Sequence, residues 1–235
     1  MVELTILIPT YNEEDYIEEA ISGIYNDVKK LKISFEMLVI DDSIDSTSHI
    51  LRKLERKFRN IRVVHRFNKK GVGSATRLGI EKAKGKYVIV YMSDALEDTV
   101  YILPMLKKLR QGYDIVQTSR FFKESRWEGY PIQKRIGNWL CNNFIRLIFF
   151  RSGLNDFTSL FKGFNNRKIR MLNLGADVFD LGLEITLKGI RKGYKITEVP
   201  VSWKERKDGK SKFKLSKYAM SYFRQVIRIW LFYHG

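Results

Sequence analysis

Apolar positions along the first hundred residues switch back and forth between two periods. Leu4-Thr5-Ile6-Leu7-Ile8 is a compact apolar run closed by Pro9 and reads as a strand, whereas residues 14–31 repeat Ile17, Ala20, Ile21, Ile24, Tyr25 and Val28 at helical spacing. Phe35-Glu36-Met37-Leu38-Val39-Ile40 predicts a second strand, stopped by Asp41-Asp42-Ser43, and residues 46–58 predict a second helix with Ser46 or Thr47 as its cap. A strand over 61–65, a helix over 73–83 and a strand over 86–91 complete a β-α-β-α-β-α-β series. Such alternation implies an α/β fold, a mostly parallel sheet flanked by helices. Ligands of open sheets of this kind bind beyond the carboxyl ends of the strands.

Three acidic loops lie at those ends: Pro9-Thr10-Tyr11-Asn12-Glu13 after the first strand, residues 41–47 after the second, and residues 92–98 after the fourth. Asp, Asn, Ser and Thr also cap helices for hydrogen-bonding reasons alone, but three such loops at one edge favour a shared ligand. Acidic loops suit a ribose, a base edge or a metal ion; a bare phosphate is repelled unless a divalent cation bridges it. A fourth loop, Asn68-Lys69-Lys70-Gly71-Val72-Gly73-Ser74-Ala75, precedes a helix. Its glycines fit close approach to an anion at a helix N-terminus, and equally a glycine-rich turn with solvated lysines.

The second half carries two further helical stripes. Residues 137–150 carry the apolar set Trp139, Leu140, Phe144, Leu147, Ile148 and Phe149, interrupted by Asn142, Asn143 and Arg146. Residues 215–233 form one helical stripe with Tyr218, Tyr222, Phe223, Val226, Trp230 and Leu231, interleaved with Lys214, Lys217, Arg224 and Arg228. Core packing accounts for such stripes; an aromatic, basic amphipathic helix also lies in the headgroup layer of a membrane, and the second helix is read that way. Neither run reaches the roughly 18 apolar residues of a membrane span. Residues 122–130, with Lys123, Arg126 and Trp127, form either an acceptor-binding loop or a plain surface connection.

Charge sharpens the division. The chain of 235 residues has a formal charge of +17, yet residues 1–104 hold 16 basic and 16 acidic side chains against 27 and 10 in residues 105–235. A nucleic-acid coat would be basic throughout, whereas a balanced half joined to a basic half suggests a neutral pocket beside an anion-facing surface. Aromatic residues at 13% exclude disorder, and a single cysteine, Cys141, excludes an intramolecular disulfide.

The motifs Ile8-Pro9-Thr10-Tyr11-Asn12-Glu13, Val39-Ile40-Asp41-Asp42-Ser43 with Asp45, residues 68–75, and Ser119-Arg120-Phe121 resemble, in order, those of family 2 glycosyltransferases of the GT-A fold. Asn155-Asp156-Phe157-Thr158-Ser159, Phe161-Lys162-Gly163-Phe164, Glu184, Glu198-Val199-Pro200-Val201, and Arg206 with Gly209-Lys210-Ser211-Lys212 resemble the dolichol-phosphate mannose synthase branch. The resemblance implies a Rossmann-like nucleotide-sugar-binding fold. Residues 1–212 would form the catalytic domain, with a donor half (1–104) and an acceptor half (105–212), and residues 213–235 a membrane-interface helix.

It also implies an activity: inverting transfer of a sugar, first of all mannose from GDP-mannose, to a polyprenyl phosphate. UDP-glucose and UDP-N-acetylhexosamine are the alternative donors. Pro9, Tyr11, Glu13, Asp41, Asp42, Lys70 and Asp94 would bind the nucleotide-sugar, and Arg120, Arg135, Arg206 and Lys212 the acceptor phosphate. Asp94, with Glu97, would hold Mg²⁺ or Mn²⁺, although Met92 stands where the family has the first Asp of its Asp-x-Asp. The catalytic set is then Asp94, Arg120, Arg206 and Lys212. The enzyme is expected to sit peripherally on the cytoplasmic face of a membrane, alone or held by a membrane-anchored partner subunit, without nucleic acid. His49, His65 and His234 lie in no family motif and read as solvated or packing residues. A non-enzymatic nucleic-acid-binding protein and a catalytically impaired nucleotide-sugar binder are the rival readings.

Overall fold

The computed structural model describes residues 2–67, 71–92, 98–129, 132–149, 153–204 and 215–233. The alternating first half forms β1 (Leu4–Thr10), α1 (Ile17–Lys30), β2 (Phe35–Asp41), α2 (Thr47–Lys57), β3 (Ile61–His65), α3 (Val72–Lys82) and β4 (Tyr87–Val90). Each lies within a few residues of its predicted span. Next come α4 (Ile102–Arg110), β5 (Ile115–Ser119), β6 (Trp127–Glu128), α5 (Ile132–Phe149), β7 (Lys162–Asn165) and α6 (Asn166–Arg170). The chain continues through α7 (Leu181–Arg191), β8 (Ile196–Pro200), β9 (Trp203–Lys204) and α8 (Leu215–Phe232).

Seven strands form one sheet in the order β3-β2-β1-β4-β7-β5-β8. β7 runs antiparallel to both β4 and β5, and the other pairs are parallel. Two antiparallel steps restore direction, so β5 points the same way as β4. Its carboxyl end therefore opens at the same edge as those of β1 and β2. Residues 122–130 contain β6, which pairs in parallel with β9, Trp127 opposite Trp203.

The period of two in β1 sends Leu4, Ile6 and Ile8 to one face, against α1, α2 and α4, and Leu7 to the other, against α3, α6 and α7. A third apolar cluster joins α5, α7 and α8 through Ile145, Phe157, Leu183, Leu187, Tyr222, Val226 and Ile229. One side of α8 is thus core. Its other side exposes Met220, Phe223, Trp230 and Leu231, and α5 exposes Ile136, Trp139, Leu140, Phe144 and Leu147. The Phe144 and Phe223 rings stack at 6.0 Å, which joins the two exposed stripes. Among the described residues no helix is long and apolar enough to cross a membrane.

Candidate functional site

Register brings the first two loops together. Thr10 pairs with Asp41 across β1 and β2, and Asp41 with His65 across β2 and β3, so the three stand level at the carboxyl edge. Side-chain oxygens of each loop accept from backbone N–H groups of the other. Asn12, at φ 49°, donates its N–H to Ser43 Oγ (2.8 Å) and accepts from the Ile44 N–H (3.0 Å). The Glu13 N–H donates to Thr47 Oγ1 (2.9 Å), and Ser46 makes no side-chain cap. Pro9 is buried and Tyr11 and Glu13 are half-buried beside this lacing.

Asp41 is fully buried at the floor. Its Oδ1 accepts from the Ser43 N–H (3.0 Å), and its Oδ2 from the Ser48 hydroxyl (2.6 Å) and His65 Nδ1 (2.9 Å). His65, expected to be solvated or packing, sets its Nδ1 against the Asp41 carboxylate. The signal was present, since the third strand ends on a histidine level with Asp41, but the pairing needed the register. Asp42 is held from both sides by Arg66, whose Nε and Nη2 donate at 2.6 and 2.5 Å. Arg66 Nη1 also donates to Ser74 Oγ (2.9 Å), tying β3 to the start of α3.

The glycines of the fourth loop serve packing. A Cβ on Gly71, at φ 108°, would come within 2.6 Å of the Asp177 carbonyl oxygen, and one on Gly73 within 2.5 Å of that of Val178. The 176–178 segment occupies the space a side chain would need, and the Ser74 N–H donates to the Asp177 carbonyl (3.0 Å).

At the end of β5, Arg120 donates Nε to Asp156 Oδ2 (2.7 Å) and Nη2 to Asp156 Oδ1 (3.1 Å) and Thr158 Oγ1 (3.2 Å). Beneath it lies a polar network built on the fully buried Gln117, Asp156 and Lys162. Lys162 Nζ donates to Gln117 Oε1 (2.7 Å), and Gln117 Nε2 donates to the Asp156 carbonyl (2.8 Å) and Glu198 Oε1 (2.9 Å). Glu198 also accepts from the Asn155 and Asp156 N–H groups. Burial alone would raise the Asp156 carboxyl, but the charge and hydrogen bonds of Arg120, with Thr158 and Lys162, hold it below the usual carboxylate range. Burial pushes the Lys162 ammonium down to about 7 against the pull of Asp156 and Glu198. Glu184 accepts from the Gly175 and Ala176 N–H groups and pairs with Lys188 at 2.7 Å. The motifs of the second half therefore include a buried support, placed where Arg120 needs an anionic seat.

Arg135 lies over the Trp127 ring at 5.0 Å, and Trp127 contacts Phe121 edge-on at 5.4 Å. The structure thus gathers Pro9, Tyr11, Glu13, Asp41 and Asp42 in one loop cluster, with Arg120 at the same edge. Lys70, Asp94, Glu97, Arg206 and Lys212 lie outside the described residues. Among the described residues no group of three His, Cys, Asp or Glu side chains is arranged to hold a metal ion.

A family model described as Glycosyl transferase family 2 matches residues 5–172. The dolichol-phosphate mannosyltransferase of Pyrococcus furiosus is 29% identical over 232 residues, which cover 97% of this chain and 64% of that protein. Glycosyltransferase AglD of Haloferax volcanii is 27% identical over 237 residues, 97% of this chain and 37% of the relative. The chain thus spans less than two thirds of either relative's length. Among solved structures, Mycobacterium tuberculosis glucosyl-3-phosphoglycerate synthase with Mn²⁺, UDP-glucose and phosphoglyceric acid superposes with a TM-score of 0.75. The match covers 97% of this chain and 80% of that one at 16% identity. The same enzyme with Mn²⁺, UDP and phosphoglyceric acid gives 0.70 at 18% identity, over 96% and 76% of the two chains. That likeness is one of fold.

Proposed function

The chain belongs to glycosyltransferase family 2, and on that premise we propose that it transfers a hexose from a nucleotide-sugar to a polyprenyl phosphate at a membrane surface. Mannose from GDP-mannose is the first reading, supported by the relative named a dolichol-phosphate mannosyltransferase. A UDP-sugar is the second, favoured by the structural neighbours crystallised with UDP or UDP-glucose. One observation carries the proposal. A single sheet edge holds the laced loops after β1 and β2 and, after the co-directional β5, an arginine seated on a buried carboxylate.

In this reading Pro9, Tyr11 and Glu13 line the donor pocket above Asp41 and Asp42, with Lys70 beside the diphosphate. Arg120, Arg135, Arg206 and Lys212 gather the acceptor phosphate. The Nε–Nη2 edge of Arg120 is engaged by Asp156, so Arg120 acts on the acceptor chiefly through its charge. A phosphate monoester, with its second pKa near ~6, is already largely a dianion at neutral pH. Its oxygen attacks the anomeric carbon from the face opposite the diphosphate. The new C–O bond forms as the bond to the diphosphate oxygen breaks, the electron pair leaves with the nucleoside diphosphate, and configuration inverts. No general base is needed; positioning two anions is the main task. Asp94 and Glu97 offer oxygen donors, which suit a hard divalent cation such as Mg²⁺ or Mn²⁺. When bound, that ion supplies charge neutralisation to the departing diphosphate.

The joined apolar stripes of α5 and α8, flanked by exposed Arg135, Arg146, Arg224 and Arg228, fit the headgroup layer of an anionic bilayer, where a lipid acceptor resides. The donor half of the proposal is tested by thermal shift with GDP-mannose, UDP-glucose and UDP-N-acetylglucosamine in the presence of Mg²⁺. A ligand at 100 times its Kd adds about 2.7 kcal/mol of stability, which raises the melting temperature of a domain this size by about 5–10 °C. One of the three is expected to do so. No shift with any of them contradicts the donor reading.

A further inference from the structure

We propose that His65 and Phe67 form a base-reading corner that selects nucleotides whose base carries an imino N–H, namely uridine or guanosine diphosphates, over those of adenosine and cytidine. The inference deepens the donor reading above and rests on it. Asp41 is fully buried, and its oxygens are already engaged by the Ser43 N–H, the Ser48 hydroxyl and His65. A carboxylate so enclosed does not itself offer an edge to a base. It instead fixes the ring that lies between it and solvent.

The histidine tautomer follows from the neighbours of Nδ1. Asp41 Oδ2 lies at 2.9 Å and Ser48 Oγ at 3.2 Å, and the Ser48 hydroxyl proton already points to Asp41. Both neighbours therefore present lone pairs to Nδ1, which carries the proton. In the neutral ring Nε2 is then an acceptor, and among the described residues nothing bonds it. The side chain is 32% exposed, at the carboxyl edge and level with Thr10 and Asp41.

A fixed acceptor there matches the N3–H of uracil or the N1–H of guanine. Adenine and cytosine carry an unprotonated ring nitrogen at the equivalent place and would oppose one lone pair to another. Phe67 completes the corner. Its ring meets His65 edge-on at 5.0 Å and is 93% exposed, an unusual position for a large apolar side chain. A bare aromatic face beside a base-edge acceptor is a stacking platform. The selection rule agrees with both donors left open above, because GDP- and UDP-sugars share the imino group.

Titration calorimetry with UDP, GDP, ADP and CDP in Mg²⁺ tests the corner. The wild type is expected to bind UDP or GDP at least about tenfold more tightly than ADP and CDP. His65→Asn keeps an amide N–H for Asp41 but has no atom at the Nε2 position, so it should retain the wild-type melting temperature while the preference collapses toward unity. Phe67→Ala should weaken the preferred nucleotide about tenfold without changing the preference. An unchanged preference in His65→Asn overturns the inference, as does unchanged affinity in Phe67→Ala, whose exposed site tolerates truncation even if His65→Asn does not fold. In either case, tight UDP or GDP binding by the wild type leaves the donor reading standing. A wild type that binds none of the four overturns both.

Discussion

Lys162 concentrates the residue-scale physics of the second half of the chain. It is fully buried, its ammonium donates to Gln117, and burial lowers its pKa to about 7 from an ordinary 10.5. Between those values the unfolded chain holds a proton that folding expels, so this group makes stability rise with pH through the window and leaves it lowest below about 7. Wild-type stability minus that of Lys162→Met should therefore climb by about 1 kcal/mol per pH unit between pH 7.5 and 9.5, as read by urea unfolding. Parallel profiles would place the Lys162 pKa outside this range. The sequence made Asn155-Asp156, Lys162 and Glu198 visible as motifs, but not their burial. Gln117 meets Lys162 and Glu198 from 45 and 81 residues away, and that depends on β7 and β8 flanking β5. The contact of His65 with Asp41 was hidden for the same reason: the local pattern around a histidine does not reveal which carboxylate its strand pairs with.

Among the elements, periodicity was most informative where each one packs on a sheet face already implied by its neighbours. Strands β1 to β4 and helices α1 to α3 fall close to their predicted bounds for that reason. The antiparallel β7 was not legible, because Lys162-Gly163-Phe164-Asn165 is too short for a period, and its place between β4 and β5 follows from long-range pairing. Helix α5 starts at Ile132 and not near Gly137; its polar first turn, Gln133 to Arg135, hides the continuing stripe of Ile132, Ile136 and Trp139. Two glycine substitutions separate packing from propensity. Gly73→Ala forces a Cβ against three backbone atoms of the 176–178 segment at 2.5 to 2.8 Å and should destabilise the protein by about 1–3 kcal/mol. Gly23→Ala, in the exposed middle of α1 with nothing within 4 Å, should stabilise it by about 0.5–1 kcal/mol. Denaturant midpoints measure both, and equal shifts would contradict the close approach at Gly73.

For the whole molecule, the charge asymmetry and the joined stripes of α5 and α8 lead to a prediction neither makes alone. Co-sedimentation with vesicles containing phosphatidylserine should exceed that with neutral vesicles and fall as salt rises, since the headgroup attraction is screened within a Debye length of about 10 Å at 0.1 M salt. Trp139→Ser with Phe223→Ser, both at exposed positions, should reduce binding to either vesicle type without lowering the melting temperature. Retention of full binding would leave the stripes without a membrane role. The central claim, that the balanced half holds a sugar nucleotide while the basic half brings in a lipid phosphate, is tested most directly by transfer itself. Radiolabelled GDP-mannose, UDP-glucose or UDP-N-acetylglucosamine would be incubated with a short polyprenyl phosphate and Mg²⁺ or Mn²⁺, and the organic phase counted. The account predicts that one donor labels the lipid, and that the Asp94→Ala variant does not. No label in the lipid from any donor, together with tight, steeply salt-dependent binding to oligonucleotides, would contradict it.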